Sequence, residues 1–137
     1  MISNKLPIAA VLAAVTYLAS PLASAVALTG QDALSRFDTD HDGTLSQKEA
    51  VRAADARFRA LDQDADGTLD AKEAEAAGIT KSEFDKADRD KDGTLDKKEF
   101  NSIVVSRFKQ ANADSDRTLD AKELDSPPGQ ALVQLLH

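Results

Sequence analysis

Beyond residue 26, apolar positions recur at helical spacing and break off at four short acidic stretches, 38–49, 62–73, 88–99 and 112–123. Four residues before each stretch stand Leu34, Phe58, Phe84 and Phe108, and one residue before it stand Phe37, Leu61, Ala87 and Ala111. That i, i+3 pairing builds one apolar stripe along each preceding segment, so the aromatics read as core. After the third stretch the stripe continues through Phe100, Ile103 and Val104, whereas after the first it falls to Ala50, Ala53 and Ala54, and the second half is expected to hold the better core. Only 12 residues separate the first stretch from the second, and the third from the fourth. One helix can serve both neighbours, and Gln47 to Leu61 and Lys97 to Ala111 read as continuous helices of 15 residues, near 22 Å long at about 1.5 Å per residue. Between the second and third stretches Gly78 reads as a helix stop, and Thr80-x-x-Glu83 as a capping box opening the next helix. Ser126-Pro127-Pro128-Gly129 ends the last helix. The apolar tail after it, Ala131 to Leu136, is expected to fold back onto exposed helix faces rather than dock on a partner, because so small a core needs covering. The predicted fold class is all-α, an array of helices and loops in one domain over 26–137.

The first 25 residues carry a different pattern. Lys5 gives a positive start, Leu6 to Ala19 is an apolar run of 14 residues, and Ala23-Ser24-Ala25 has the small-x-small form of a cleavage site, with Ala25-Val26-Ala27 competing. The run is interrupted by Pro7 and Thr16 and falls short of the roughly 20 apolar residues that span a bilayer. The segment is read as a cleaved signal peptide, with cleavage after Ala25 or Ala27, which places the mature protein in the periplasm or outside the cell. No Cys follows it, so a lipoprotein anchor is excluded.

The acidic stretches repeat. Asp38-Thr-Asp40-His-Asp42-Gly43-Thr44-Leu45-Ser46-Gln-Lys-Glu49 returns as Asp62-Gln-Asp64-Ala-Asp66-Gly67-Thr68-Leu69-Asp70-Ala-Lys-Glu73 and as Asp88-Arg-Asp90-Lys-Asp92-Gly93-Thr94-Leu95-Asp96-Lys-Lys-Glu99. A degenerate fourth copy runs Asn112-Ala-Asp114-Ser-Asp116-Arg117-Thr118-Leu119-Asp120-Ala-Lys-Glu123. Starts at 38 and 88, like those at 62 and 112, lie 50 residues apart, which marks a duplicated two-loop unit. Each of the first three copies, loops 1 to 3, fits D-x-[DN]-x-[DN]-G-x5-E, and over 38–123 the chain resembles the EF-hand family.

The chemistry fits the spacing. A hard divalent cation of calcium's size takes six to eight oxygens, and acidic side chains at alternate positions of a tight turn converge on one point. The resemblance implies calcium ligands at loop positions 1, 3, 5, 7, 9 and 12: Asp38, Asp40, Asp42, Thr44, Ser46 and Glu49 in loop 1, and Asp62, Asp64, Asp66, Thr68, Asp70 and Glu73 in loop 2. It implies Asp88, Asp90, Asp92, Thr94, Asp96 and Glu99 in loop 3, and Asn112, Asp114, Asp116, Thr118, Asp120 and Glu123 in loop 4. The threonines would offer backbone carbonyls, position 9 would act through a water, and the glutamate would give both oxygens. The leucines at position 8, Leu45, Leu69, Leu95 and Leu119, are expected to form short β-bridges between paired loops, as in EF-hand relatives. Two pairings stay open: loop 2 with loop 3, or, with kinked helices, loop 1 with 2 and loop 3 with 4.

The loops differ. Loops 2 and 3 put five acids in ligand positions and loop 1 puts four, so loops 2 and 3 are ranked tighter. Loop 4 has Asn112 at position 1 and Arg117 where the others have Gly. The arginine must take a positive φ, at a cost of about 1 kcal/mol, so three calcium sites are expected and the fourth is left open.

Composition narrows the function. With 17 basic and 24 acidic residues the chain carries a net charge of −7, and losing Lys5 with the signal makes it −8. Eighteen of the 24 acids sit in ligand positions, so the acidity is mostly ligand and not a solvated face. Such a balance disfavours nucleic acid and anionic membranes as partners. Three bound Ca2+ would bring the mature charge to −2. Without them the carboxylates repel one another, and the metal-free form is expected to be loose, because binding free energy in such sites is also folding free energy. There is no Cys, and the two His, His41 and His137, lie at a non-ligand loop position and at the end of the sequence. No HExxH, GxSxG or phosphate-cradling glycine motif is present, so the reading is not an enzyme. Two non-enzymatic readings remain: a Ca2+ buffer or calcium-stabilised module, and a sensor that exposes an apolar surface to a single protein partner. The adaptable grooves of sensors are Met-rich, and the only Met here is Met1, which favours the first reading. A monomer is the default.

Overall fold

The computed structural model describes residues 27–137; the expected signal peptide and both of its cleavage sites start outside the described residues. The chain order is α1 (Gly30–Phe37), β1 (Leu45–Ser46), α2 (Gln47–Leu61), α3 (Ala71–Ala76), α4 (Lys81–Ala87), α5 (Lys97–Ala111), β2 (Thr118–Leu119), α6 (Ala121–Asp125) and α7 (Pro127–Leu136). The fold is all-α, as the apolar periodicity predicts. The two long helices have the bounds read from the sequence, because a capping residue opens each and an acidic loop closes it. Gly78 ends α3's segment at φ +71°, and Thr80 with Glu83 forms the capping box that opens α4.

α2 and α5 pack against each other at the centre. The Phe58 and Phe100 rings meet edge-on with centroids 5.6 Å apart, and Lys97 at the start of α5 pairs with Asp55 on α2 at 3.0 Å. Residues late in α2 thus meet residues early in α5, and the two helices run antiparallel. Each long helix separates the loops at its two ends, which rules out pairing loop 1 with 2 and loop 3 with 4. The antiparallel arrangement brings loops together across the repeat. Leu45 pairs with Leu119 and Ser46 with Thr118 in the two-stranded β1–β2 ladder joining loops 1 and 4, and Leu69 bridges Leu95 to join loops 2 and 3. All four leucines are fully buried.

The second half holds the larger side chains of the core. α5 buries Phe100, Ile103, Val104 and Phe108, where α2 buries Ala50, Ala54, Phe58 and Leu61. The apolar tail does fold back, but as a longer helix than the sequence suggested. Ser126 ends α6 and caps α7, so the prolines that stop one helix open the next, Pro127 standing at a position that needs no N–H. α7 buries Leu132, Val133, Leu135 and Leu136 against α5, α2 and α6. Its first turn lies so close to α6 that a Cβ on Gly129 would overlap the Glu123 carbonyl oxygen. Gln130 Nε2 donates to Leu28 O at 2.9 Å and Leu124 O at 3.0 Å, and the Gly30 N–H donates to Asp125 Oδ1 at 2.6 Å, which ties the start of α1 to α6.

Arg107 is a polar member of this interior that its place on a helical stripe did not announce. It is 6% exposed, yet every nitrogen is engaged. Nε and Nη2 donate to the two Glu83 oxygens at 3.0 Å, Nη1 to Ala131 O at 2.7 Å and Nη2 to Gly78 O at 2.8 Å. One side chain on α5 thereby holds α4, the turn before it and α7.

Candidate metal centres

Each loop begins where a helix ends and finishes where the next begins, and the two ends are fastened by one glutamate. Position 9 is the N-cap of the exit helix, and the position-12 glutamate is its N3 residue, which gives capping boxes Ser46/Glu49, Asp70/Glu73, Asp96/Glu99 and Asp120/Glu123. Each such box contributes about 1 kcal/mol to helix initiation. The same glutamate also reaches across the loop. Its Oε1 accepts the N–H of position 2, from Thr39 at 2.7 Å, Gln63 at 2.9 Å, Arg89 at 2.8 Å and Ala113 at 2.8 Å. The position-12 residue is therefore a latch as well as an implied ligand. The Ser46-x-x-Glu49 spacing marks the capping box, whereas the bond from Thr39, ten residues away, has no local signal in the sequence.

Position 1 folds the turn. Asp38, Asp62 and Asp88 each accept the N–H of the position-6 glycine through Oδ2, at 2.9, 3.1 and 3.1 Å. Position 5 accepts from the backbone N–H and hydroxyl of the position-7 threonine in every loop, through Asp42, Asp66, Asp92 and Asp116. Gly43, Gly67 and Gly93 have φ between +84° and +89°. A second residue per loop, at position 4, also takes the left-handed conformation: His41, Ala65, Lys91 and Ser115, at φ 58–63°. Nothing in those four side chains announced it.

These turns gather carboxylates. Ligand oxygens of Asp38, Asp40 and Glu49 lie within 4.8 Å of one another, as do those of Asp62, Asp64 and Asp66, of Asp88, Asp90 and Glu99, and of Asp114, Asp116 and Glu123. The other residues named for the sites fall in the same loops but outside these groups. Ser46, Asp70, Asp96 and Asp120 cap helices, and Thr44, Thr68, Thr94 and Thr118 turn their hydroxyls to position 5.

The crowding shows in the acidities. Asp40 is raised above the usual carboxylate range, first by loss of water and then by the charges of Asp42 and Glu49. At Asp64 and Asp90 the bond from the Asp66 or Asp92 backbone pulls down most strongly, but loss of water and the neighbouring carboxylates together outweigh it and raise both groups. Glu49 goes the other way. Its burial disfavours the charge, yet the bonds it accepts from Ser46 and Thr39 prevail and hold it down to about 2. A set of hard oxygen donors whose members repel one another fits a hard cation such as Ca2+ and offers nothing to a softer metal.

Loop 4 departs as its sequence suggests. Arg117 takes φ +80°, and the Asn112 Oδ1 that replaces a position-1 carboxylate oxygen is buried with no hydrogen-bond partner. A Cβ at Gly43, Gly67 or Gly93 would meet no atom within 4 Å. By analogy, the arginine's cost is backbone strain and charge, not a clash.

The family model for the EF hand matches residues 31–49, 54–73 and 80–105. The matched segments contain loops 1, 2 and 3 with the helices that lead into them, and the architecture is an EF-hand array. No curated protein matches the chain.

Proposed function

We propose that this protein binds calcium ions through its EF-hand loops and acts, after export, as a calcium buffer or calcium-stabilised module. The observation that carries the reading is that each of the four loops gathers three carboxylates from its implied ligand positions, with ligand oxygens within 4.8 Å of one another. Asp38, Asp40, Asp42 and Glu49 and their counterparts at 62–73 and 88–99 would hold the ion, with the threonine carbonyls and position 9 completing the shell. The ion supplies positive charge to groups that otherwise repel one another, and so joins loop closure to helix packing. Loop 4 is the weakest of the four, since it gives up one carboxylate and keeps a strained arginine.

Export is supported by Lys5, the apolar run Leu6 to Ala19 and the small-residue sites after it. Among the described residues no helix is long and apolar enough to cross a membrane. A non-enzymatic role is supported by the use of the clustered carboxylates as metal ligands.

Buffering is favoured over sensing because α7 covers the apolar faces of α5 and α2 that a sensor would open. Fluorescence of a hydrophobic dye, measured on mature protein with and without Ca2+, tests this choice. Equal or lower fluorescence with calcium is expected. A several-fold rise would show that calcium exposes an apolar surface, and the sensor reading would replace this one.

A further inference from the structure

Two arginines are drawn into the body of the protein, and they differ completely. Arg107 uses every nitrogen. Arg57, on α2, is half-buried and makes no hydrogen bond or ion pair among the described residues; its Nε is shut off from water with no partner. Its guanidinium has no protein acceptor among the described residues, and a planar fork of N–H groups matches a carboxylate.

Its surroundings say what the anion should carry. Arg57 and His137 form the wall shared by two cavities. One, of about 740 Å3, is lined by Leu28, Pro127 and Val133. The other, of about 450 Å3, is lined by Phe37, Ala56 and Leu136 together with Arg36, Arg52 and the loop-1 residues Thr39 and Glu49. Neither Arg36 nor Arg52 is in an ion pair among the described residues. Ligand sites are of this size and kind, apolar walls with a few placed polar groups. The Glu49 carboxylate in the smaller cavity opposes an anion there, whereas the lining of the larger one holds no Asp or Glu, and charges more than about 8–10 Å away are screened at physiological salt.

We propose that Arg57 anchors a second binding site, apart from the calcium loops, for a small apolar carboxylate: one anionic head on the guanidinium and an aromatic or aliphatic body in the larger cavity beside it, against Leu28, Pro127 and Val133. The site does not depend on the calcium reading. The test is calorimetric titration of the calcium-loaded protein with 4-phenylbutyrate, with 4-phenylbutan-1-ol as the uncharged control. Saturable one-to-one binding of the acid is expected, the alcohol binding at least about tenfold more weakly, and Arg57→Met lowering affinity for the acid by about tenfold or more. Calcium titration of Arg57→Met should match the parent, so that failure of this site and failure of the calcium sites are told apart. If Arg57→Met does not fold, the Arg57 Nε–Hε resonance of the parent serves instead, and it should shift as the acid is added. No saturable binding, equal binding of acid and alcohol, an unaffected Arg57→Met or an unmoved resonance would each overturn the proposal. Competition by inorganic phosphate at equal concentration would overturn the apolar part of it.

Discussion

Replacing Arg107 by Met tests whether one buried guanidinium holds the C-terminal helix to the rest of the array. Met keeps much of the volume and removes four hydrogen bonds, which leaves the Ala131 and Gly78 carbonyls without those donors. Orphaned buried acceptors cost about 1–3 kcal/mol each, and breaking a buried ion pair costs about 3–5 kcal/mol. Two effects reduce the loss. The Glu83 side chain is 33% exposed and can recover water, and the substitution relieves the desolvation of the arginine itself. The expected loss is about 2–4 kcal/mol, read as a shift of the urea midpoint at unchanged slope in calcium at pH 7.

The same contact predicts a pH dependence. Hydrogen bonds from Arg107, opposed by partial burial and joined by those from Thr80, hold Glu83 from its ordinary 4.5 down to about 2. A folded-state value below the unfolded one gives stability that is present above about 4.5 and is lost as pH falls toward about 2. The shift corresponds to at most about 3 kcal/mol, and screening at a carboxylate one-third exposed brings it to about 2 kcal/mol. The gap between parent and Arg107→Met should therefore narrow as pH falls from 4.5 to 2. A loss under about 1 kcal/mol at pH 7, or a gap that stays constant through that window, would refute the assignment of Arg107 as the tie between α4 and α7.

Three further outcomes follow from the geometry. Arg117→Gly removes a strained φ of +80° worth about 1 kcal/mol, so the weakest calcium step should tighten about fivefold in a calcium titration, with the others unmoved. Leu69→Ala empties a fully buried position in the bridge to Leu95; it should cost about 2–4 kcal/mol in denaturant unfolding and weaken two calcium steps instead of one. Gly129→Ala puts a methyl group against the Glu123 carbonyl and Leu124, and a thermal melt should show a loss of about 1–3 kcal/mol.

What the sequence disclosed and what it hid divide along a physical line. The loops were legible because oxygen coordination demands particular residue types at fixed short spacing, so Asp38 to Glu49 declares itself within 12 residues. The bounds of α2 and α5 were legible for a related reason, since the loops cut them at both ends. The pairing of loops 2 and 3 could be inferred but not chosen, because it depends on whether a 15-residue helix stays straight. Arg107 was hidden because its partners lie 24 and 29 residues away. It falls on the buried stripe of Phe100, Ile103, Val104 and Phe108, but a charged residue there reads as a break in the stripe until its distant partners are known. The start of α7 was hidden because Pro127-Pro128 means both a stop and a start, and only the packing of Gly129 on α6 decides between them.

The most direct test of the central claim is a calorimetric titration of chelator-stripped mature protein with Ca2+ in millimolar Mg2+, followed in parallel by far-UV circular dichroism. Three or four saturable sites with a large gain in helicity are predicted, since the carboxylates that repel one another without the ion are the same groups that close the loops and cap α2, α3, α5 and α6. Absence of saturable binding, or a metal-free protein with full helicity and a sharp thermal transition, would contradict the account.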